Sequence, residues 1–528
     1  MFTERSLTRK GFDMGRAEIT GAISPAKRAA AHDAARSKRF DSSPLGVSVL
    51  DVSARDQTDR RRPRAEIARP TAPPVRWQPR RPKSAKATKP APAVEPRRIE
   101  PPRARRVPPA ESRVVVGRAG DHPGVYQFML AVFHGPSREE FHAQQDEPTY
   151  EPANRLLIKR GMRVISHLQL IERAIQFGPL QLAVDRAAWL GTLPEFRSQG
   201  LAGQLLQAAG RAMAGKGFPL GQLRTRIPHF FHRWGWAVCG RHSRSRAKSR
   251  HILARFGGEP AILRRPPLNI RLWRHVELPA LMRIYAQNTA GAFGPPVRTE
   301  AYWRWLISRK AFDHIIVALD GPDKLELDEA TAPIVGYAVI RQQCVVELLT
   351  DPAHPAAGQQ LLARACADAI ERDQNDLVLE APPGDPLHQL LVAAGGQFSN
   401  HAADDQEVYM IRPPDTARLA RRLKPLLESR LKESDVARPC ELGLLIDNER
   451  HLLTISRRGL RITAGRLGRN HITCNRAELT RLMLGHTDPA EAAQHGRLQA
   501  SSPAALEWAG LLFPRVPLWH PLWDDLPA

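Results

Sequence analysis

One stretch of this sequence, residues 189–203, carries residue types spaced to hold an anion: Arg197, Gly200 and Gly203. A short apolar run at 187–193 predicts a strand, and Pro194, which cannot donate to a sheet ladder, ends it. After Arg197-Ser198-Gln199-Gly200 the residues Leu201, Leu205, Leu206, Ala209 and Met213 recur about one turn apart, as on an amphipathic helix. A strand, a glycine turn and a helix start together make an anion site. The first-turn N–H groups have no intrahelical partners, and the helix dipole adds positive potential there. Gly200 leaves no Cβ where a phosphate would meet backbone, and Arg197 can add charge-assisted hydrogen bonds.

The hexapeptide Arg197-Ser198-Gln199-Gly200-Leu201-Ala202 matches the Arg/Gln-x-x-Gly-x-Gly/Ala signature of the GNAT acyltransferases. Leu190-Gly-Thr-Leu-Pro-Glu-Phe-Arg197 is similar to that family's Val-Ala-Thr-His-Pro-Glu-Tyr-Arg, and Phe231-His-Arg-Trp-Gly-Trp236 resembles its closing Tyr-x-x-x-Gly-Phe. The resemblance implies an N-acetyltransferase with acetyl-CoA as co-substrate, an amine as acceptor and no metal. It places the backbone of Leu190, Gly191 and Thr192 along the pantetheine arm, and Arg197, Ser198, Gln199, Gly200, Leu201, Ala202 and Gly203 at the pyrophosphate. It also implies direct attack by the amine, whose thiolate leaving group is then protonated. Phe231 stands where the family's tyrosine acid would be, and phenylalanine has no proton to give. His232 or His229 beside it, or solvent, could take over that role. Alternatively the chain binds acyl-CoA without turning it over.

Composition bounds what surrounds this stretch. At 528 residues and 58.9 kDa the chain predicts three or four domains. Its 78 Lys/Arg against 54 Asp/Glu leave +24, but 26 of those bases and 11 of the acids fall in the first 110 residues. That segment also holds 15 of the 46 prolines, so residues 1–111 are expected to be a disordered basic tail. A polyanion such as nucleic acid is its candidate partner, although Trp77 is the only aromatic near a basic cluster. Cys239, Cys344, Cys366, Cys440 and Cys474 lack C-x-x-C spacing, which suggests neither a disulfide framework nor zinc and fits a reducing cytoplasm. No apolar run reaches 18 residues, so no membrane partner is expected; self-association into a homo-oligomer is left open.

The elements that must position the anion turn follow from periodicity. Residues 114–117 read as a strand and 126–132 as a helix; 154–159, 163–170 and 176–185 alternate as meander strands. With 187–193 and its helix they predict a first domain at 112–266, in which 241–250 is an exposed basic loop. A similar strand–helix order at 267–412 predicts a degenerate second copy. Its turn, Asp351-Pro-Ala-His-Pro-Ala-Ala-Gly358, lacks the arginine and the first glycine and is expected not to bind CoA. At 413–528 a helix with Leu419, Leu423, Leu426, Leu427 and Leu431 leads into strands and two further helices, the last capped by Ser502. This order resembles the sterol-carrier-protein-like domain that follows two GNAT domains in the Eis (enhanced intracellular survival) family. The fold class expected is therefore α/β (α+β), with tandem GNAT folds on mixed sheets. The Eis resemblance further implies that the chain-terminal carboxylate, here Ala528, helps deprotonate the amine. Trp519 and Trp523 would anchor that end, and Asp524 and Asp525 would draw a cationic acceptor.

Overall fold

A computed structural model describes residues 113–526, apart from 259–267, 322–332, 402, 405–406, 435–438 and 457–458. The basic tail at 1–111 and the terminal Ala528 lie outside the described residues. The described chain is mixed α/β and carries three sheets.

The first sheet runs β1 (Val114–Val116), β2 (Arg155–Arg160), β3 (Arg163–Phe177), β4 (Leu180–Thr192) and β5 (Leu220–Thr225), in that spatial order. Helices α1 (His122–Phe133) and α2 (Arg138–Gln145) follow β1, α3 (Leu201–Lys216) joins β4 to β5, and α4 (Pro228–His232) follows β5. The leucines of α3 are buried, as their spacing predicts. Residues 176–185, expected as one strand, instead contain the β3–β4 turn, with Gly178 at φ +60°. Alternation continues on both sides of that turn and hides the break.

The chain then continues through β6 (Ala237–Val238), β7 (His242–Lys248), α5 (Ser249–Gly258), β8 (Asn269–Leu272), α6 (Leu278–Thr289), β9 (Phe293–Pro296) and α7 (Glu300–Ser308). After these come β10 (His314–Leu319), β11 (Ile334–Arg341), β12 (Cys344–Thr350), α8 (Ala356–Glu371), β13 (Asp376–Glu380), α9 (Pro386–Ala393), β14 (Gln397–His401), β15 (Ala403–Asp404) and β16 (Glu407–Arg412). The second sheet has the order β14-β7-β13-β12-β11-β10-β8, so β8 and β10–β13 repeat the layout of β1–β5. Strands cross between the sheets in both directions. β7 inserts between β13 and β14, whereas β9 and β16, from within 267–412, pair with β3 and β5 of the first sheet. The boundary drawn at 266 is therefore crossed in both directions.

The stretch 241–250 is thus mostly the interior strand β7, running into α5, rather than an exposed loop. Ser243, Ser245 and Ala247 face inward and are buried. On the other face Arg244 pairs with Glu380, and Arg246 with Asp376 at 2.8 Å. Small buried residues give no hydrophobic alternation, and arginines matched by acids of a neighbouring strand look solvated when read alone.

The third unit is α10 (Thr416–Lys432), β17 (Cys440–Ile446), β18 (Glu449–Ser456), β19 (Gly459–Ala464), β20 (His471–Cys474), α11 (Arg476–Met483), α12 (Pro489–Gln494), β21 (Leu498–Ala500) and α13 (Pro503–Leu512). The α10 leucines all face the core, and Ser502 caps α13 by accepting from Ala505 N at 3.1 Å. One apolar cluster runs from Ile175, Phe177 and Val184 of the first sheet through Leu419 and Leu423 to Leu442 and Leu453. The third unit is therefore packed against the sheet that bears the anion turn.

Candidate functional site

β4 and β5 are parallel neighbours, yet they pair only from Val184–Arg186 to Leu220–Gln222. Beyond Arg186 the strands part, and β4 bulges. His167 opposes Gly191 and Gln169 opposes Ala188, so Leu168 faces two residues, Trp189 and Leu190. Trp189 sits at φ +55°, a left-handed backbone that costs a non-glycine residue of order 1–3 kcal/mol.

Two neighbours on β3 hold the bulge. Ser166 Oγ donates to the Gly191 carbonyl at 2.8 Å and lies 2.8 Å from Thr192 Oγ1. His167 Nδ1 is 2.9 Å from the Trp189 carbonyl, and its Nε2 is 3.1 Å from Arg155 Nη1. A carbonyl only accepts and a guanidinium only donates, so His167 must be the neutral Nδ1–H tautomer. Burial, reinforced by the Arg155 charge, lowers its pKa to about 3 and keeps it so. Arg155 is itself buried. Its Nε donates to Tyr150 Oη at 3.0 Å, and Phe141 and Tyr150 rings cover the guanidinium.

Leu190, Gly191 and Thr192 therefore lie on the bulge where the strands diverge, and Leu193 turns into a short 3-10 segment, Pro194–Phe196. Arg197 Nε donates back to the Thr192 carbonyl at 3.3 Å, tying the turn to the end of β4. Ser198 (φ +61°) and Gly200 (φ +77°) take the left-handed conformation, and Gly200 is the N-cap of α3. A Cβ at Gly200 would meet nothing within 4 Å, so its face is open to a ligand. The first intrahelical bond runs from Gln204 N to Gly200 O, leaving the N–H groups of Leu201, Ala202 and Gly203 at the open end. A Cβ at Gly203 would lie 2.4 Å from the Trp234 ring, so α3 starts hard against the closing element. Exposed cations, open backbone donors and a missing Cβ suit a pyrophosphate.

Phe231 is in α4 and buried, edge-on to Phe230 and Trp236 at 5.1 and 6.5 Å. It belongs to the core of the first unit. His232 is exposed, with Nδ1 3.1 Å from the Trp236 carbonyl, and His229 is also exposed.

The chain end is where sequence reading fell shortest. Trp519 and Trp523 are buried, as anchors should be. The acids beside them are not free to draw a cation. Asp525 is ion-paired to Arg186 of β4, lies 3.9 Å from Arg224 of β5, and accepts from Tyr409 Oη at 2.5 Å. Burial opposes its ionisation, but Arg186 and Arg224 outweigh that and hold its pKa at about 2. Asp524 accepts from Arg298 Nη2 (2.6 Å) and from Tyr302 Oη (2.9 Å), and Arg298 also binds Glu347 at 2.6 and 2.9 Å. Arg309 Nη1 donates to the Leu526 carbonyl at 2.8 Å. The expected attraction for a cationic acceptor is thus corrected, because Arg186 and Arg224 of the first sheet and Arg298, between β9 and α7, neutralise these acids. No local signal could have shown this, since Arg186 and Asp525 are 339 positions apart.

Known proteins agree with this geometry. The family model of the acetyltransferase (GNAT) domain matches residues 116–239, and that of the sterol carrier protein domain matches 444–521. No curated protein matches by sequence. Among solved structures, a GCN5-related N-acetyltransferase from Anabaena variabilis ATCC 29413 superposes with a TM-score of 0.58 at 15% identity, over 77% of this chain and 98% of that one. A GCN5-related N-acetyltransferase from Kribbella flavida gives 0.57 at 16%, over 78% and 99%. Eis1 from Mycobacterium abscessus gives 0.54 at 16%, over 77% and 99%. With the splayed strands, the glycine turn and the third unit in place, residues 116–239 are a GNAT acetyltransferase domain, residues 444–521 are a sterol-carrier-protein-like domain, and the described chain has the fold of GNAT N-acetyltransferases, Eis1 among them.

Proposed function

We propose that this protein transfers an acetyl group from acetyl-CoA to an amine. The reading rests on one observation: β4 and β5 part at a bulge that runs directly into an open glycine turn at the start of α3. Arg197, Ser198, Gln199 and the first-turn amides up to Gly203 would hold the pyrophosphate. The backbone of Leu190, Gly191 and Thr192 would lie beside the thioester, held by Ser166 and His167. Attack forms the C–N bond as the C–S bond breaks, so the amine must lose a proton and the thiolate gain one. Phe231 supplies neither. The Ala528 carboxylate is the proposed base, on the strength of the Eis resemblance. His232, exposed near the closing element, or solvent would return the proton to sulfur.

One observation favours a second reading. Phe231 is packed into the core with no hydroxyl to offer, which suits a protein that binds acyl-CoA without turnover. Thiol release from acetyl-CoA, measured over a panel of amines, separates the two. Release with at least one amine, together with co-purified CoA, is expected. Tight acetyl-CoA binding without release for any amine would establish the second reading. A polyanion-binding role for the basic tail is a separate proposal; a nucleic-acid shift that weakens steeply with salt would support it.

A further inference from the structure

The second sheet repeats the strand geometry of the first without its anion turn. β12 and β13 are parallel and pair only at Cys344–Val378 and Val345–Leu379. Beyond these pairs the strands part, leaving the β13-facing edge of 346–350 without a strand neighbour. A cavity of about 740 Å³ opens there, within the size range of sites for small organic molecules. Leu348 and Leu349 of β12, Leu387 and Leu390 of α9, and the rings of Phe293 and Trp519 line it, with six prolines among the remaining walls. Thr350 and Gln359 add polar groups.

Its charge pattern is the reverse of the first cleft's. None of the described lining residues is Lys or Arg, and Asp385 is the one ionisable group. Burial raises the Asp385 pKa, and its carboxyl caps α9 by accepting from Leu387 N at 2.9 Å. At the turn, where the first copy has Arg197, Asp351 is held ionised by the Ala353 N–H and by Arg283, each at 2.9 Å. An anion entering this cleft would meet Asp385 and no cation among the described lining residues, and Arg283 at the turn is already paired with Asp351.

We propose that the cleft between β12 and β13 binds a neutral, elongated, mainly apolar molecule with one hydrogen-bonding head, such as a medium-chain alcohol or amide, and excludes anions, CoA included. Among the described residues of the sterol-carrier-protein-like domain, the enclosed apolar cavity is far smaller. It lies between Leu427, Leu444 and Met483 and is about 20 Å³, room for a single water.

Calorimetric titration of the full chain at pH 8 with 1-octanol and with octanoate tests this without reference to turnover. Octanol should bind saturably at one site per chain, and octanoate at least tenfold more weakly. Asp385→Asn, whose amide oxygen can still cap α9, should narrow that ratio. Ala356→Trp, at the first residue of α8 and in the cavity lining, should abolish octanol binding but leave acetyl-CoA binding unchanged; Gln359→Trp serves if that variant melts early. Failure of octanol to bind, octanoate binding as tightly as octanol, octanol binding unaffected by the tryptophan, or a second CoA per chain would each overturn the proposal.

Discussion

At the scale of single residues, the anion turn separates a cation from a conformation. Arg197 is exposed, so a phosphate contact there would be a surface charge-assisted bond, and on the proposed function Arg197→Ala should weaken acetyl-CoA binding by about 1.5 kcal/mol, roughly tenfold. Gly200→Val should cost more, because φ +77° strains any L side chain and the branch would stand where the ligand meets backbone. His354→Ala, in the degenerate turn, should leave binding unchanged. Calorimetry giving the opposite order would assign the active copy wrongly. Asp185 carries a second residue-scale prediction. It is fully buried, neither carboxylate oxygen has a hydrogen-bond partner in the described structure, and burial pushes its pKa from 3.8 up to about 7. Folding therefore penalises its ionised form. The penalty is absent below about pH 4, grows as pH rises to about 7 and is constant above, amounting to roughly 4 kcal/mol. Asp185→Asn should flatten the fall in unfolding free energy between pH 4 and 7. Parallel profiles for the two proteins would show that this carboxyl does not set the slope.

At the scale of elements, the bulge on β4 is held by its hairpin partner. A tryptophan at positive φ persists because Ser166 and His167 occupy the carbonyls on either side of Leu190. His167→Phe keeps the ring but loses both hydrogen bonds and strips a neutral partner from the buried Arg155 guanidinium. Stability should fall by about 1–3 kcal/mol. If the bulge presents the thioester, kcat should fall more than donor affinity, since the anion turn is untouched. His167→Gln, which can donate at one end and accept at the other, should restore part of both. A phenylalanine variant with full turnover would disconnect the bulge from the chemistry. The strand exchange belongs to this scale as well. β7 and β16 each complete the other copy's sheet, so neither copy has its full set of strands within 112–266 or 267–412.

At the scale of the whole molecule, residues 519–526 tie the units together. Trp523 is buried in the second unit beside Trp303, with ring centroids 5.6 Å apart, while Asp525 crosses to Arg186 and Arg224 of the first sheet. Asp525→Asn leaves the half-buried Arg186 without its carboxylate, while Arg224 keeps Glu407, a loss of about 1–3 kcal/mol for a partly buried charge left unpaired. Because the pKa of Asp525 is lowered from 3.8 to about 2, its contribution is present above about pH 4 and is lost as pH falls toward 2. The variant should therefore be destabilised at pH 7 and approach the parent near pH 2. Removing only Pro527 and Ala528 spares these contacts and tests the proposed base. Transfer should drop sharply with acetyl-CoA binding and melting temperature unchanged, and full activity would end that assignment.

The local features were legible in the sequence because they depend on near neighbours. Pro194 ending a strand, Gly200 opening a turn, the leucine stripe of α10 and the Ser502 cap each follow from residues within a few positions, and each is present. The glycine turn after β4 follows the same way, as does the lack of its arginine and first glycine in the turn after β12. What tertiary structure alone decided involves partners far apart in the chain. β7 read as a basic loop because the acids that neutralise it, Asp376 and Glu380, come some 130 residues later on β13. Asp524 and Asp525 read as an acidic lure because nothing local reveals Arg298, Arg186 and Arg224 closing on them. The bulge at Trp189 needed the register of β3 against β4, which periodicity leaves undetermined. Charge read along a chain is a sum over neighbours in sequence, whereas a buried charge takes its state from neighbours in space.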